Sequence, residues 1–260
     1  MSRTAAFVAT ADGVYSFGLR DAASVRMFEP RVKPPVGSSI YEVVLTRDEK
    51  ALYIPATSGG LYKLDLKSSL VTQIHRTPLA AYAGLAADGR LLYVAYRGGG
   101  PGGSRGHDAI GVFDVGTGNL LRTITGLATV GSYIRASPDG QTIWANGLDA
   151  CSSAAYDHIG CPAVPAGIIN VLDAATYRPI RSISFPGPFH PDGLAFSPEG
   201  SLAVVSGDAL MIFNAATTEM LRVYPRFRTR DFIFSEDGTT GYATIAPEGV
   251  AKFRVDCGSR

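Results

Sequence analysis

Short apolar runs alternate with polar turns along nearly the whole chain, and five of these alternations repeat one phrase. LTRDEKALYI (45–54), LAADGRLLYV (85–94), ASPDGQTIWA (136–145), FSPEGSLAVV (196–205) and FSEDGTTGYA (234–243) each read apolar strand, acidic turn, apolar strand. A second phrase follows: LYKLDLKSSLVTQI, IGVFDVGTGNLLRTI, INVLDAATYRPIRSI, LMIFNAATTEMLRVY and finally VAKFRVD. No sustained 3.6-residue apolar period competes with these β-rich runs and their Gly, Asp, Pro and Ser turns. One hairpin cannot bury its own apolar face, so a repeated hairpin predicts stacked sheets.

Within the second phrase, Asp65, Asp114, Asp173 and Asn214 hold one equivalent place, and Ser68, Thr117, Thr176 or Thr217 stands three residues later. An Asx side chain there bonds the backbone of a tight turn, so these acids read as turn-formers. One repeat then yields four antiparallel strands. The turn acids Asp48, Asp88, Asp139, Glu199 and Asp237 are 40, 51, 60 and 38 residues apart. Propeller blades of about 40–50 residues fit that spacing once two insertions are allowed.

ASPDGQTIWAN and GLAFSPEGSLAVVSG resemble the YVTN-type propeller repeat, a relative of the lactonase-like and quinoprotein-dehydrogenase-like propellers, and the resemblance covers residues 41–256. The expectation is all-β: a single β-propeller domain over residues 1–260, with insertions at 96–108 and 146–167. Six blades are predicted, at 5–30, 41–76, 81–125, 132–185, 192–225 and 230–256; the alternative is a seven-bladed-like ring with irregular closure. AAFVATADGVYSFGL matches YIPATSGGLYKLDL, so the first unit starts at its second strand, and the last stops where a fourth strand should begin. Open strand edges invite pairing, and a homodimer through these edges is one way to cover them.

The composition narrows the function. Apolar residues make up 46% and charged residues 18%, enough core and too little charge for a disordered chain. A net charge of +1 points at neither nucleic acid nor an anionic membrane. Arg222, Arg226, Arg228 and Arg230 are diluted by Glu219, Asp231 and Glu236 and read as a solvated face. The N-terminus lacks the apolar run of a secretory signal, so a cytoplasmic location is expected. Cys151 and Cys161 share one loop and Cys257 is left over; a reducing cytosol favours three thiols over a disulfide.

The resemblance implies a ligand face formed by the segments entering the innermost strands and by the loops between second and third strands. Both insertions fall in such loops, and read either as a lid or as a flexible tether. Seven residues before the turn acid stand Tyr41, Ala81, Ser132, Asp192 and Arg230; six before it stand Glu42, Tyr82, Tyr133, Gly193 and Asp231. Tyr41, Tyr82 and Tyr133 suit the wall of a small-molecule pocket, or core packing.

The segment His190-Pro191-Asp192-Gly193 is the sharpest local feature and resembles one common ahead of this strand in YVTN-like repeats. Imidazole beside carboxylate suits a general base or a divalent-metal pair, or else a rim histidine bonded to backbone. Arg135, a guanidinium in an otherwise apolar inner strand, must be paired or face a solvated cavity. His158, Arg230 and Asp231 are further members of the candidate set, with Glu42. The sequence requires no cofactor, and no CxxC, HExxH or P-loop ending occurs. Three readings follow. One is a lyase, isomerase or lactonase acting on a small molecule, with His190 as base, Asp192 as its orienting partner or a metal ligand, and Arg135 holding an anion. The others are a non-catalytic binding module for a metabolite or protein, and a cofactor-dependent subunit suggested by the quinoprotein resemblance alone.

Overall fold

The computed structural model describes residues 5–9, 14–18, 25–28, 40, 42–57, 59–76, 80–96, 109–127, 133–148, 167–185, 189, 191–225, 227–245 and 249–255. Two compact units divide the chain, Met1–Leu127 and Ala128–Arg260.

The first unit contains three antiparallel sheets. The N-terminal one has three strands: β1 (Ala5–Ala9), β2 (Val14–Gly18) and β3 (Val25–Phe28). The next has four: β4 (Val44–Leu45), β5 (Ala51–Ala56), β6 (Gly60–Asp65) and β7 (Val71–His75). The third comprises β8 (Ala80–Leu85), β9 (Leu91–Tyr96), β10 (Ala109–Asp114) and β11 (Leu120–Ile124). The second unit continues with β12 (Ile134–Ala136), β13 (Thr142–Leu148), β14 (Gly167–Asp173) and β15 (Pro179–Ser184), then β16 (Pro191–Phe196), β17 (Leu202–Gly207), β18 (Leu210–Asn214) and β19 (Met220–Tyr224). It closes with β20 (Thr229–Phe234), β21 (Thr240–Ile245) and β22 (Gly249–Arg254). Spatial order follows chain order within every sheet, which is blade construction.

The blade count of the sequence reading is corrected: the structure has five blades, not six or seven. Five sheets carry the inner strand that leads into the acidic turn phrase, namely those of β4, β8, β12, β16 and β20. The segment assigned to a first blade folds instead as the sheet β1–β3, which among the described residues has no such inner strand or turn. Its alternating apolar residues are those of any hairpin, so pattern alone did not separate it from a blade.

Apolar side chains fill the spaces between neighbouring sheets of each unit. Tyr53, Leu61, Leu92, Val94 and Phe113 pack between the sheets of β4 and β8. Trp144, Val171, Phe185, Leu194 and Phe213 do so between those of β12 and β16. Trp144 is fully buried and meets Phe196 and Phe213 edge-on, at centroid separations of 5.5 and 6.2 Å. Val204, Phe232 and Phe234 join the sheets of β16 and β20.

The turn acids do what the sequence predicts. Asp65 Oδ1 accepts from the Ser68 amide at 2.7 Å and its hydroxyl at 2.8 Å, and Asp114 and Asp173 repeat the arrangement with Thr117 and Thr176. These hydrogen bonds favour the ionised form and hold all three carboxyls below the usual aspartate range. In the first phrase, the hydroxyls of Thr46, Ser137, Ser197 and Ser235 each accept the amide that reopens the second strand, at 2.9–3.0 Å. Ala86 occupies that place in the sheet of β8 and has no hydroxyl to offer. The residue after the turn acid is left-handed throughout: Gly89, Gly140, Gly200 and Gly238, but Glu49 at φ 55°. Glu49→Gly and Ala86→Ser are therefore each expected to stabilise the fold by roughly 0.5–1 kcal/mol, the first by relieving left-handed strain, the second by satisfying an amide. Urea denaturation of the two variants checks this, and a lower midpoint in both would count against the turn geometry.

Candidate functional site

Among the described residues, the inner strands β8, β16 and β20 break their pairing at one repeat position. Between β8 and β9, Ala80 pairs Tyr96 and Tyr82 pairs Ala95, leaving Ala81 extra. Between β16 and β17, Pro191 pairs Gly207 and Gly193 pairs Ser206, leaving Asp192 extra. Between β20 and β21, Thr229 pairs Ile245 and Phe232 pairs Ala243, so Arg230 and Asp231 together face Thr244. These bulges fall seven residues before the turn acid, where sequence alignment of the repeat placed the candidate site. A bulge spends one residue's ladder bond and re-aims its side chain. In β20 the lost bond is replaced: the Asp231 amide donates to Thr244 Oγ1 at 3.0 Å.

In the second unit these positions come together. Gly193 follows the bulged Asp192, and a methyl there would lie 2.9 Å from the Arg230 carbonyl oxygen and 3.3 Å from Asp231 Cα, besides striking the Ser206 hydroxyl. Only hydrogen fits, so the backbones of β16 and β20 approach as closely as glycine allows. Asp192 is half-buried on one of these strands and Asp231 on the other. On β12, one N–H of Arg135 donates to the Ile134 carbonyl at 2.9 Å, and its guanidinium carbon lies 5.5 Å from the centroid of the half-buried Tyr133 ring. Packing and that hydrogen bond fix where the cation points.

Burial pushes the Asp231 carboxyl above the usual aspartate range. The Arg135 guanidinium and the Phe232 amide, which donates to Asp231 Oδ1 at 2.9 Å, pull it down but do not cancel the burial. Arg135 on β12 thus acts on Asp231 on β20 with β16 contacting both strands. An acid raised in the folded state binds a proton more tightly folded than unfolded. Its contribution to stability is present at low pH and is lost as pH rises through the folded-state value. Asp231→Asn is accordingly expected to raise the melting temperature by a few degrees at pH 7, with the gap closing toward pH 3; an equal or lower melting temperature at pH 7 would contradict the burial penalty.

The other predicted residues lie elsewhere. Glu42, before β4, accepts the Ala83 amide of β8 at 3.2 Å and so ties two neighbouring sheets of the first unit beside the half-buried Tyr82. Arg230 has an exposed side chain, and its backbone forms the contact with Gly193. Tyr41, His158 and His190 lie outside the described residues, as do Cys151, Cys161, Cys257 and residues 97–108 and 149–166 of the two insertions. Among the described residues, no three His, Cys, Asp or Glu side chains gather as metal ligands, and no helix is long and apolar enough to cross a membrane.

Two residues went unread in the sequence. The Ser206 and Thr229 hydroxyls are fully buried and lack a hydrogen-bond partner among the described residues. Seven residues after the turn acid stand Pro55 and Ala95 in the first unit but Asn146, Ser206 and Thr244 in the second. That switch from apolar to polar was the available signal for Ser206.

No protein-family model matches the chain, and no curated protein is detectably similar to it in sequence. Solved structures do match. A chain of the Kuenenia stuttgartiensis hydrazine synthase superimposes with a TM-score of 0.78 at 13% identity, covering 97% of this chain and 81% of that one. A chain of a mitotic checkpoint complex gives 0.57 at 18%, covering 96% and 83%. The β-propeller domain of Myceliophteria thermophila Cps50 (Swd1) gives 0.59 at 14%, covering 85% and 68%. At such identities the likeness speaks for fold alone, and the fold of this chain is a β-propeller.

Proposed function

We propose that the chain is a small-molecule enzyme of lyase, isomerase or lactonase type, acting on a small organic monoanion beside Arg135 of β12 and the bulges of β16 and β20. The observation that carries this reading is the action of Arg135 on Asp231 across β16. A cation held by Tyr133 and the Ile134 carbonyl, acting on a carboxyl that burial raises above the usual aspartate range, is an anion holder next to a proton carrier. Asp231 already offsets part of the guanidinium's charge, so a monoanion suits the site better than a dianion. His190, next but one to Asp192 in sequence, is the proposed base, with Asp192 orienting it or sharing a divalent metal. Tyr133 supplies an aromatic wall. The YVTN-type, lactonase-like kinship and a cytoplasmic location belong to the same proposal.

A non-catalytic module is the second reading. Ile180 on β15 and Met220 and Leu221 on β19 are large apolar side chains 50–59% exposed on outer strands, suited to a protein partner. A thermal-shift and NMR panel of short carboxylates and lactones separates the two. The enzyme reading expects a saturable shift and conversion of one compound, slowed in both His190→Ala and Asp231→Asn. Binding with no conversion in the wild type would leave the module.

A further inference from the structure

We infer that Ser206 and Thr229 form an uncharged recognition layer behind the charged mouth, selecting a carboxylate that carries a neutral oxygen next to the acid group. The inference rests on the carboxylate reading of Arg135. Both hydroxyls are 0% exposed, and neither has a partner among the described residues. A buried hydroxyl without a partner forfeits its hydration and recovers nothing, so native structures rarely keep one without a use.

Both hydroxyls adjoin the bulges. Ser206 is the register partner of Gly193, and its hydroxyl fills the space that a Gly193 side chain would take, next to the Arg230 carbonyl. Thr229 immediately precedes the bulged Arg230 and Asp231 on β20. A hydroxyl both donates and accepts, so the pair serves a ligand hydroxyl or keto oxygen equally and offers nothing to a methylene. The chemical class is then a short 2-hydroxy or 2-oxo monocarboxylate.

Calorimetric titration with 2-hydroxybutyrate, 2-oxobutyrate and butyrate, which differ only at C2, tests this. The wild type is expected to bind the two oxygenated acids about tenfold or more tightly than butyrate, the scale of one unsatisfied buried hydroxyl. In the Ser206→Ala/Thr229→Val double variant that preference disappears while butyrate binding stays. The unliganded double variant is expected to melt at or above the wild type, because it no longer buries two unpartnered hydroxyls. Preference retained in the variant, or a lower melting temperature without ligand, would overturn the inference. Equal binding of all three acids that is lost in Arg135→Gln would overturn it and leave the carboxylate reading standing. Binding of none would remove both.

Discussion

Gly193→Val is expected to lower stability by about 3 kcal/mol, or roughly 6–12 °C in melting temperature. A Cβ at this position meets the Ser206 hydroxyl, which can rotate away, but also the Arg230 carbonyl and Asp231 Cα, which are backbone and cannot. The strands β16 and β20 must separate to admit it. Overpacking of this kind forces backbone shifts that a well-packed core does not absorb. The same separation moves the bulged Asp192 away from Asp231, so ligand affinity falls together with stability. Chemical denaturation of Gly193→Val beside Gly193→Ala reads the effect, which should grow with side-chain size. A valine variant as stable as the wild type would mean the two inner strands are not in close approach.

Arg135→Gln is expected to weaken carboxylate binding about 10–100-fold, the range for a charge-assisted hydrogen bond replaced by a neutral one. Glutamine keeps a donor but removes the charge, and the planar fork that lies over Tyr133 goes with it. Arg135→Lys restores charge without that geometry and should recover only part of the affinity. Removing the cation also deprives the buried Asp231 of its pull toward ionisation. The variant should therefore lose stability at pH 7 and keep it at pH 3, where the carboxyl is protonated in both proteins. Unchanged binding would take Arg135 out of the site.

Much of the fold was legible because its signals are local. An acidic turn needs only its own neighbours, and the Asp65, Asp114 and Asp173 turns form with the hydroxyls the spacing predicted. The blade count was not local. Whether residues 5–28 form a blade depends on an inner strand that the phrase there lacks, and hairpin alternation looks the same either way. The bulges were half legible. Aligning the repeat on its turn acids found the position, with Asp192, Arg230 and Asp231 on it. That the position is a break in pairing depends on register between strands, which no single strand's pattern encodes. Glu42 illustrates the limit from the other side. Alignment put it in the candidate site, and its carboxylate accepts a backbone amide of the next sheet. Residue type and position identify a group that needs a partner; packing decides whether that partner is protein or ligand.

Charged groups from separate inner strands of the second unit meet at Asp231, and a carbon-13 NMR titration of its carboxyl reads that meeting. The wild type should show an apparent pKa above the usual aspartate value of about 3.9, rising further in Arg135→Gln as the favourable charge is removed. A value at or below the usual one, or one that Arg135→Gln leaves unmoved, would contradict it.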